Sequence, residues 1–325
     1  MFLLLVIELS WSLDFNLASL NLSGKIAKAI NRILRKINKA LTKFHFAVMI
    51  TADTLITKNF VTRGFSTFSP LSILIIARNT FREAVRDRIL YNLVLFVLLL
   101  IGAAILLGDL TDGQEARTTI NIGLSAMLFF GTFIAIFVGV GLVSKEIEKR
   151  TVFAIFAKPV GRGEFLVGKY LGLCLTLLVN VFVMGVGVSL ALLYVGGTSY
   201  AATIWPAIYL IYLELAILTA VAILFSSFSS PSLSALLTFF VFLIGHFSAS
   251  LRDFAETIGT ATAKFLFNFL YYFLPNLAHF SFITLAAYGK TPDPNQILGV
   301  TAYALVYIAV LLAASVLIFS RRNFK

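Results

Sequence analysis

Six stretches of this chain are apolar over lengths that suit a membrane crossing: 90–107, 120–143, 170–195, 202–225, 233–247 and 298–319. An α-helix rises about 1.5 Å per residue, so about 20 apolar residues cross roughly 30 Å of hydrocarbon. Inside a bilayer every backbone N–H and C=O must find a partner within the protein, which leaves only helices and closed barrels. The stretches are continuously apolar rather than alternating, so they predict helices. The fifth is short and reaches full length only with Ser232 and residues 248–251 included. Composition agrees: 59% of the residues are hydrophobic and 13% charged, against about 25% charged in soluble domains. That excludes a soluble enzyme, a secreted disulfide scaffold and a disordered tail. The single cysteine, Cys174, excludes an internal disulfide and a cysteine-built zinc site.

The basic residues set the orientation. Of 26 Lys and Arg, all but Arg117, Arg252, Lys264 and Lys290 lie before the first stretch, in 144–169, or in the tail Arg321, Arg322, Lys325. Positive charge accumulates on the cytoplasmic side of a membrane protein. The expectation is an all-α integral membrane protein with six spans and both termini cytoplasmic, in the inner membrane. The charge of +11 then reports topology and anionic lipid, and no nucleic-acid partner is expected.

Two domains are expected, an N-terminal extension over 1–68 and a six-span domain over 69–325. The extension holds a basic amphipathic helix in 23–44, with Ile26, Ile30, Ile33, Ile37 and Leu41 on one face and Lys25, Lys28, Arg32 and Lys36 on the other. Such a helix lies on an anionic surface or meets a partner. Residues 1–13 contain Glu8 and lack a basic leader, which argues against a signal peptide; a start at Met49 is the alternative. Residues 70–89 predict a second amphipathic helix, an entry helix with Pro70 in its first turn, Leu74, Ala77, Phe81, Ala84 and Val85 on the apolar face, and Arg78, Arg82 and Arg86 as a basic stripe. The stripe suits lipid phosphates or a cytoplasmic subunit. Beyond the fifth stretch, 263–288 is rich in Phe and Tyr but broken by Pro275, and predicts short interfacial helices on the outer side.

Chemistry-bearing motifs are few. Gly163 to Lys169 resembles a phosphate-binding loop, but Tyr170 stands where a Ser or Thr should hold Mg²⁺, and no strand precedes it. The chain is therefore expected not to be an enzyme and to carry no cofactor. His45, His246 and His279 have no partner at metal-ligand spacing. Glu214 is the one acid within a span, where a charge costs at least about 2.5–3.5 kcal/mol. It reads either as a protonated or hydrogen-bonded packing residue or as a proton or cation site. Sequence shows no second titratable group beside it, and His246 is expected at the interface. In 144–169 a charged opening is followed by Val152, Phe153, Ile155 and Phe156, then Pro159, Gly161 and Gly163. Apolar residues on the cytoplasmic side need cover by lipid or by a partner's groove.

Four places in order resemble the permease subunits of ABC-2-type transporters, and most of all the subgroup associated with multi-copper enzyme maturation and nitrous-oxide reductase assembly. They are the entry helix 76–91; Glu146 to Thr151 with Lys158 to Arg162 and Phe165 to Lys169; Leu213-Glu214-Leu215 with Leu224 to Pro231; and Tyr272 to Phe280. The likeness covers about 70–325 and gives 1–68 no role. It implies that separate cytoplasmic ATPase subunits bind ATP and Mg²⁺, and that a second permease copy or paralogue completes the pathway. The segment around 150–157 would be a coupling helix, with Glu146, Glu148, Arg150, Thr151, Phe153, Phe156, Lys158 and Pro159 at the ATPase contact. Arg78, Arg82 and Arg86 would join the same junction. An ATP-driven exporter is the leading expectation; the alternatives are a non-transporting membrane scaffold and a proton-coupled secondary transporter.

Overall fold

The computed structural model describes residues 70–86, 96, 114–148, 161–248, 271 and 274–321. The extension 1–68, the first expected span apart from Phe96, the segment 149–160 and most of 249–273 lie outside the described residues. Those described are helical: α1 Pro70–Arg86, α2 Glu115–Glu148, α3 Arg162–Tyr194, α4 Trp205–Ser226, α5 Pro231–His246, α6 Ile283–Ala287 and α7 Pro294–Arg321, with 3₁₀ turns at Thr198–Tyr200 and Leu277–Phe280.

Four of these helices are long and apolar enough to cross a membrane: α2 over Glu115–Leu142, then α3, α4 and α7. They match four of the six expected stretches. The fifth stretch is α5, whose 16 residues give about 24 Å, less than the full hydrocarbon thickness. Pro231 opens α5 and Pro294 opens α7, positions where proline's missing N–H costs nothing. Gly196, at φ +84, closes α3. The N–H of Gly197 turns back to the carbonyl of Leu192 at 2.8 Å, and this left-handed step is open to glycine without steric cost.

Helix α4 is the centre of the packing, contacted by α2, α3, α5, α7 and the turn Leu277–Phe280. Its sequence is hydrophobic on all sides, as a helix surrounded by others must be. Within their apolar windows 78% of α4 is buried but only 22% of α7, so α7 presents most of its surface outward. On α2 one face buries Leu124, Met127, Ile134 and Ala135 while Phe129, Phe133 and Phe137 point out, their rings in contact at 4.8 and 5.8 Å. An exposed aromatic row of this kind is stable against lipid but not against water.

Beyond α5 the chain folds back onto the bundle. Leu277, Phe280, Phe282, Ala286 and Ala287 join the same buried core as α4. Asn276 ties this segment down: its Oδ1 accepts from Ser248 Oγ at 2.5 Å and from the Ala278 N–H at 3.2 Å, and its own N–H donates to the Tyr303 hydroxyl at 3.0 Å. Within the 263–288 stretch, where interfacial helices were expected, the described residues form the 3₁₀ turn Leu277–Phe280 and the short helix Ile283–Ala287, packed against the other helices.

Candidate functional site: the junction end and a buried carboxylate

The first feature is the junction where α1 meets the start of α3. Here Gly168 and Gly172 let two backbones approach. A Cβ at 172 would sit 2.5 Å from the Ala77 carbonyl oxygen and 2.6 Å from Thr80 Cβ, and one at 168 would sit 2.7 Å from Ile76 Cβ. Small residues four apart are the usual means by which helices pack closely in lipid. Lys169, between them and 6% exposed, reaches Glu83 of α1 at 3.3 Å. Its ammonium also lies 5.7 Å from the centre of the Phe165 ring. At the start of α3 the Glu164 carboxylate accepts from the Gly161 N–H at 3.3 Å, filling one donor that a helix start leaves open. The run that resembled a phosphate loop is therefore the first two turns of a helix, and its second glycine and lysine hold α1.

The entry helix forms over Pro70–Arg86 of the expected 70–89, and its buried face matches the predicted one at Ala77 and Ala84 but not at Leu74. Ala77, Thr80 and Ala84 are buried, while Leu74 is 49% exposed. The small residues, with Ile76 beside Gly168, meet α3, and Leu74 faces outward. Arg82 is exposed, Arg78 is half-buried, and Arg86 is the last residue of α1.

Helix α2 has 34 residues, about 51 Å, longer than a bilayer core is thick. Glu146 and Glu148 stand in the last turn of α2. Arg150, Thr151, Phe153, Phe156, Lys158 and Pro159 lie outside the described residues. Their segment is bracketed by the end of α2 and by Arg162, so it connects α2 to the helix that holds α1.

The second feature is Glu214, the tenth of the 22 residues of α4 and 1% exposed. Its Oε1 lies 3.4 Å from Nδ1 of His246, at the last residue of α5. Both carboxylate oxygens and this Nδ1 lack a hydrogen-bond partner among the described residues. The expectation that no titratable group stands beside Glu214 is thereby corrected. The two are 32 positions apart on different helices, and no spacing rule connects them; only the crossing of α4 and α5 does. Among the described residues no three His, Cys, Asp or Glu side chains gather as a metal site would require.

Apolar helices long enough to cross a bilayer define a multi-pass membrane protein. The model of the ABC-2 family transporter proteins matches residues 74–324, most of the chain, and the chain belongs to that family. It is accordingly a membrane component of permease type in an ABC transporter. No curated protein matches it.

Proposed function

We propose that the chain is the membrane permease subunit of an ATP-driven exporter whose energy comes from a separate cytoplasmic ATPase. The observation that carries this is the junction within a family match over 74–324: a 34-residue α2 ending in charged residues, the connecting residues 149–161, and an α3 whose first turns grip α1. Force applied to the connection would reach α2 and α3 directly, and α1 would follow α3 because the Gly168–Gly172 contact leaves no slack. Residues 150–157 serve as the coupling helix, Glu146, Glu148 and Arg150 orient it, and Arg78, Arg82 and Arg86 flank it. ATP and Mg²⁺ belong to the partner, and the chain itself performs no hydrolysis. A second permease copy or paralogue completes the pathway in the inner membrane, with both termini cytoplasmic and all six expected spans crossing. Alternating access follows from ATPase closure.

The test is affinity purification of the tagged chain in mild detergent beside a Phe153→Asp, Phe156→Asp variant. A P-loop ATPase recovered with the parent and lost with the variant supports the reading. Absence of an ATPase from both removes the energy source and favours a scaffold or a secondary transporter.

A further inference from the structure

We propose that Glu214 and His246 form a proton-binding site in the membrane interior, holding one proton jointly and clasping α5 to α4. The geometry brings one carboxylate and one imidazole to 3.4 Å, with the carboxylate side chain 1% exposed and the imidazole 25%. Neither carboxylate oxygen, nor the facing Nδ1, has another hydrogen-bond partner among the described residues. A charge buried without a partner in so apolar a place is expensive, and such groups are found paired or neutralised.

Charge counting gives the stoichiometry. With one proton the pair is neutral overall, whether the proton rests on the carboxyl or on the imidazole. With none, a carboxylate anion is buried alone; with two, an imidazolium is. Among the described residues, no neighbouring group offsets either charge. On α2 the charged residues are Glu115 and Arg117 at its start and Lys145, Glu146 and Glu148 near its end, several turns from the level of Glu214, where a Cβ on Gly131 would run into Leu215. On α3, Arg162, Glu164 and Lys169 lie at the start, Lys169 is taken up by Glu83, and the Tyr170 hydroxyl donates to the Ala216 carbonyl at 3.3 Å. The remaining titratable groups on the surrounding elements are Cys174 and Tyr194 of α3, Tyr209 and Tyr212 of α4, Tyr303 and Tyr307 of α7, Arg321 at the end of α7, and His279 on the 3₁₀ turn. None of the contacts described brings a second acid or base to the pair. Two donors are also too few for a metal ion, which takes four or more ligands, so the bound cation is a proton.

His246 is the route of exchange. It is the more exposed member and stands where Gly245 packs against Leu277 and the Pro275 carbonyl, so protons arrive from the end of α5 that the 274–287 segment covers. Gain or loss of a proton buries a net charge between α4 and α5 and loosens their contact.

The experiment is thermal unfolding of the full-length chain in lipid nanodiscs across pH, for the parent, Glu214→Gln and His246→Gln. The parent should be most stable at intermediate pH and lose stability on both sides. Glu214→Gln should abolish the alkaline loss, because no anion can form. His246→Gln should abolish the acid loss, because no imidazolium can form. Either variant alone suffices if the other fails to fold. In the parent itself, NMR of labelled His246 ring and Glu214 carboxyl should show both signals moving at shared midpoints, as coupled sites do, and Glu214→Gln should change the proton affinity of His246 by at least about tenfold. Independent midpoints in the parent, or folded variants that keep both limbs of its pH profile, overturn the proposal.

Discussion

Replacing Gly172 by alanine sets two known effects against each other at one position. In a helix interior alanine is favoured over glycine by about 1 kcal/mol, and α3 is helical on both sides of residue 172. Against this, the new Cβ would stand 2.5 Å from the Ala77 carbonyl oxygen and 2.6 Å from Thr80 Cβ. Both belong to a neighbouring helix, and the carbonyl is backbone, so neither can swing aside as a side-chain tip would. Overpacking of this kind costs about 1–3 kcal/mol, and the balance is a net loss of about 0–2 kcal/mol. At about 2–4 °C per kcal/mol for a domain of this size, the midpoint should fall by up to about 8 °C. Gly299→Ala is the matched control, because on α7 a Cβ at 299 meets nothing within 4 Å and only the gain in propensity remains. The assay is thermal unfolding in detergent, with hydrogen exchange of the α1 amides as a local reading. Exchange in α1 should rise for Gly172→Ala and not for Gly299→Ala. A Gly172→Ala protein as stable as Gly299→Ala, with α1 equally protected, would refute the claim that backbone contact holds the entry helix.

Two further outcomes follow from the same structure. Glu83→Gln should cost less than about 1 kcal/mol, since Glu83 is 37% exposed and exposed ion pairs contribute little; a double-mutant cycle with Lys169→Met in chemical denaturation measures the coupling. Asn276→Leu should cost about 1–3 kcal/mol, because Ser248 Oγ and the Ala278 N–H lose their shared acceptor, and limited proteolysis should then cut within 274–290 at a rate that leaves α4 intact.

Much of the architecture was legible before any coordinates. Four of the expected spans appear as helices because a run of about 20 apolar residues has few other stable destinations. The entry helix was legible from Pro70 and the 3–4 periodicity, and the continuation of α2 past the apolar stretch to Glu148 from the charged opening of 144–169. The packing of that entry helix was legible in part. Apolar periodicity pointed to Leu74, Ala77 and Ala84; Ala77 and Ala84 are buried, but Leu74 faces outward, and Thr80 and Ile76 join the contact instead. In lipid the larger apolar side chains have no reason to hide, and close approach selects the small ones. The same logic gives a role to Gly168 and Lys169, in a run that the sequence already excludes as a phosphate loop: their surroundings make them a helix contact.

The candidate site divides along the same line. That a carboxylate would stand inside the fourth stretch was evident from Glu214 alone, since a single acid in an apolar run is visible without neighbours. That it would face His246 was decided only by the tertiary structure. Sequence records hydrophobicity and local period, both properties of one helix at a time, and they determined which segments cross the membrane. Which two side chains meet depends on the crossing and rotation of α4 against α5. These are set by side-chain packing summed along the helix contact, and no single residue carries that information.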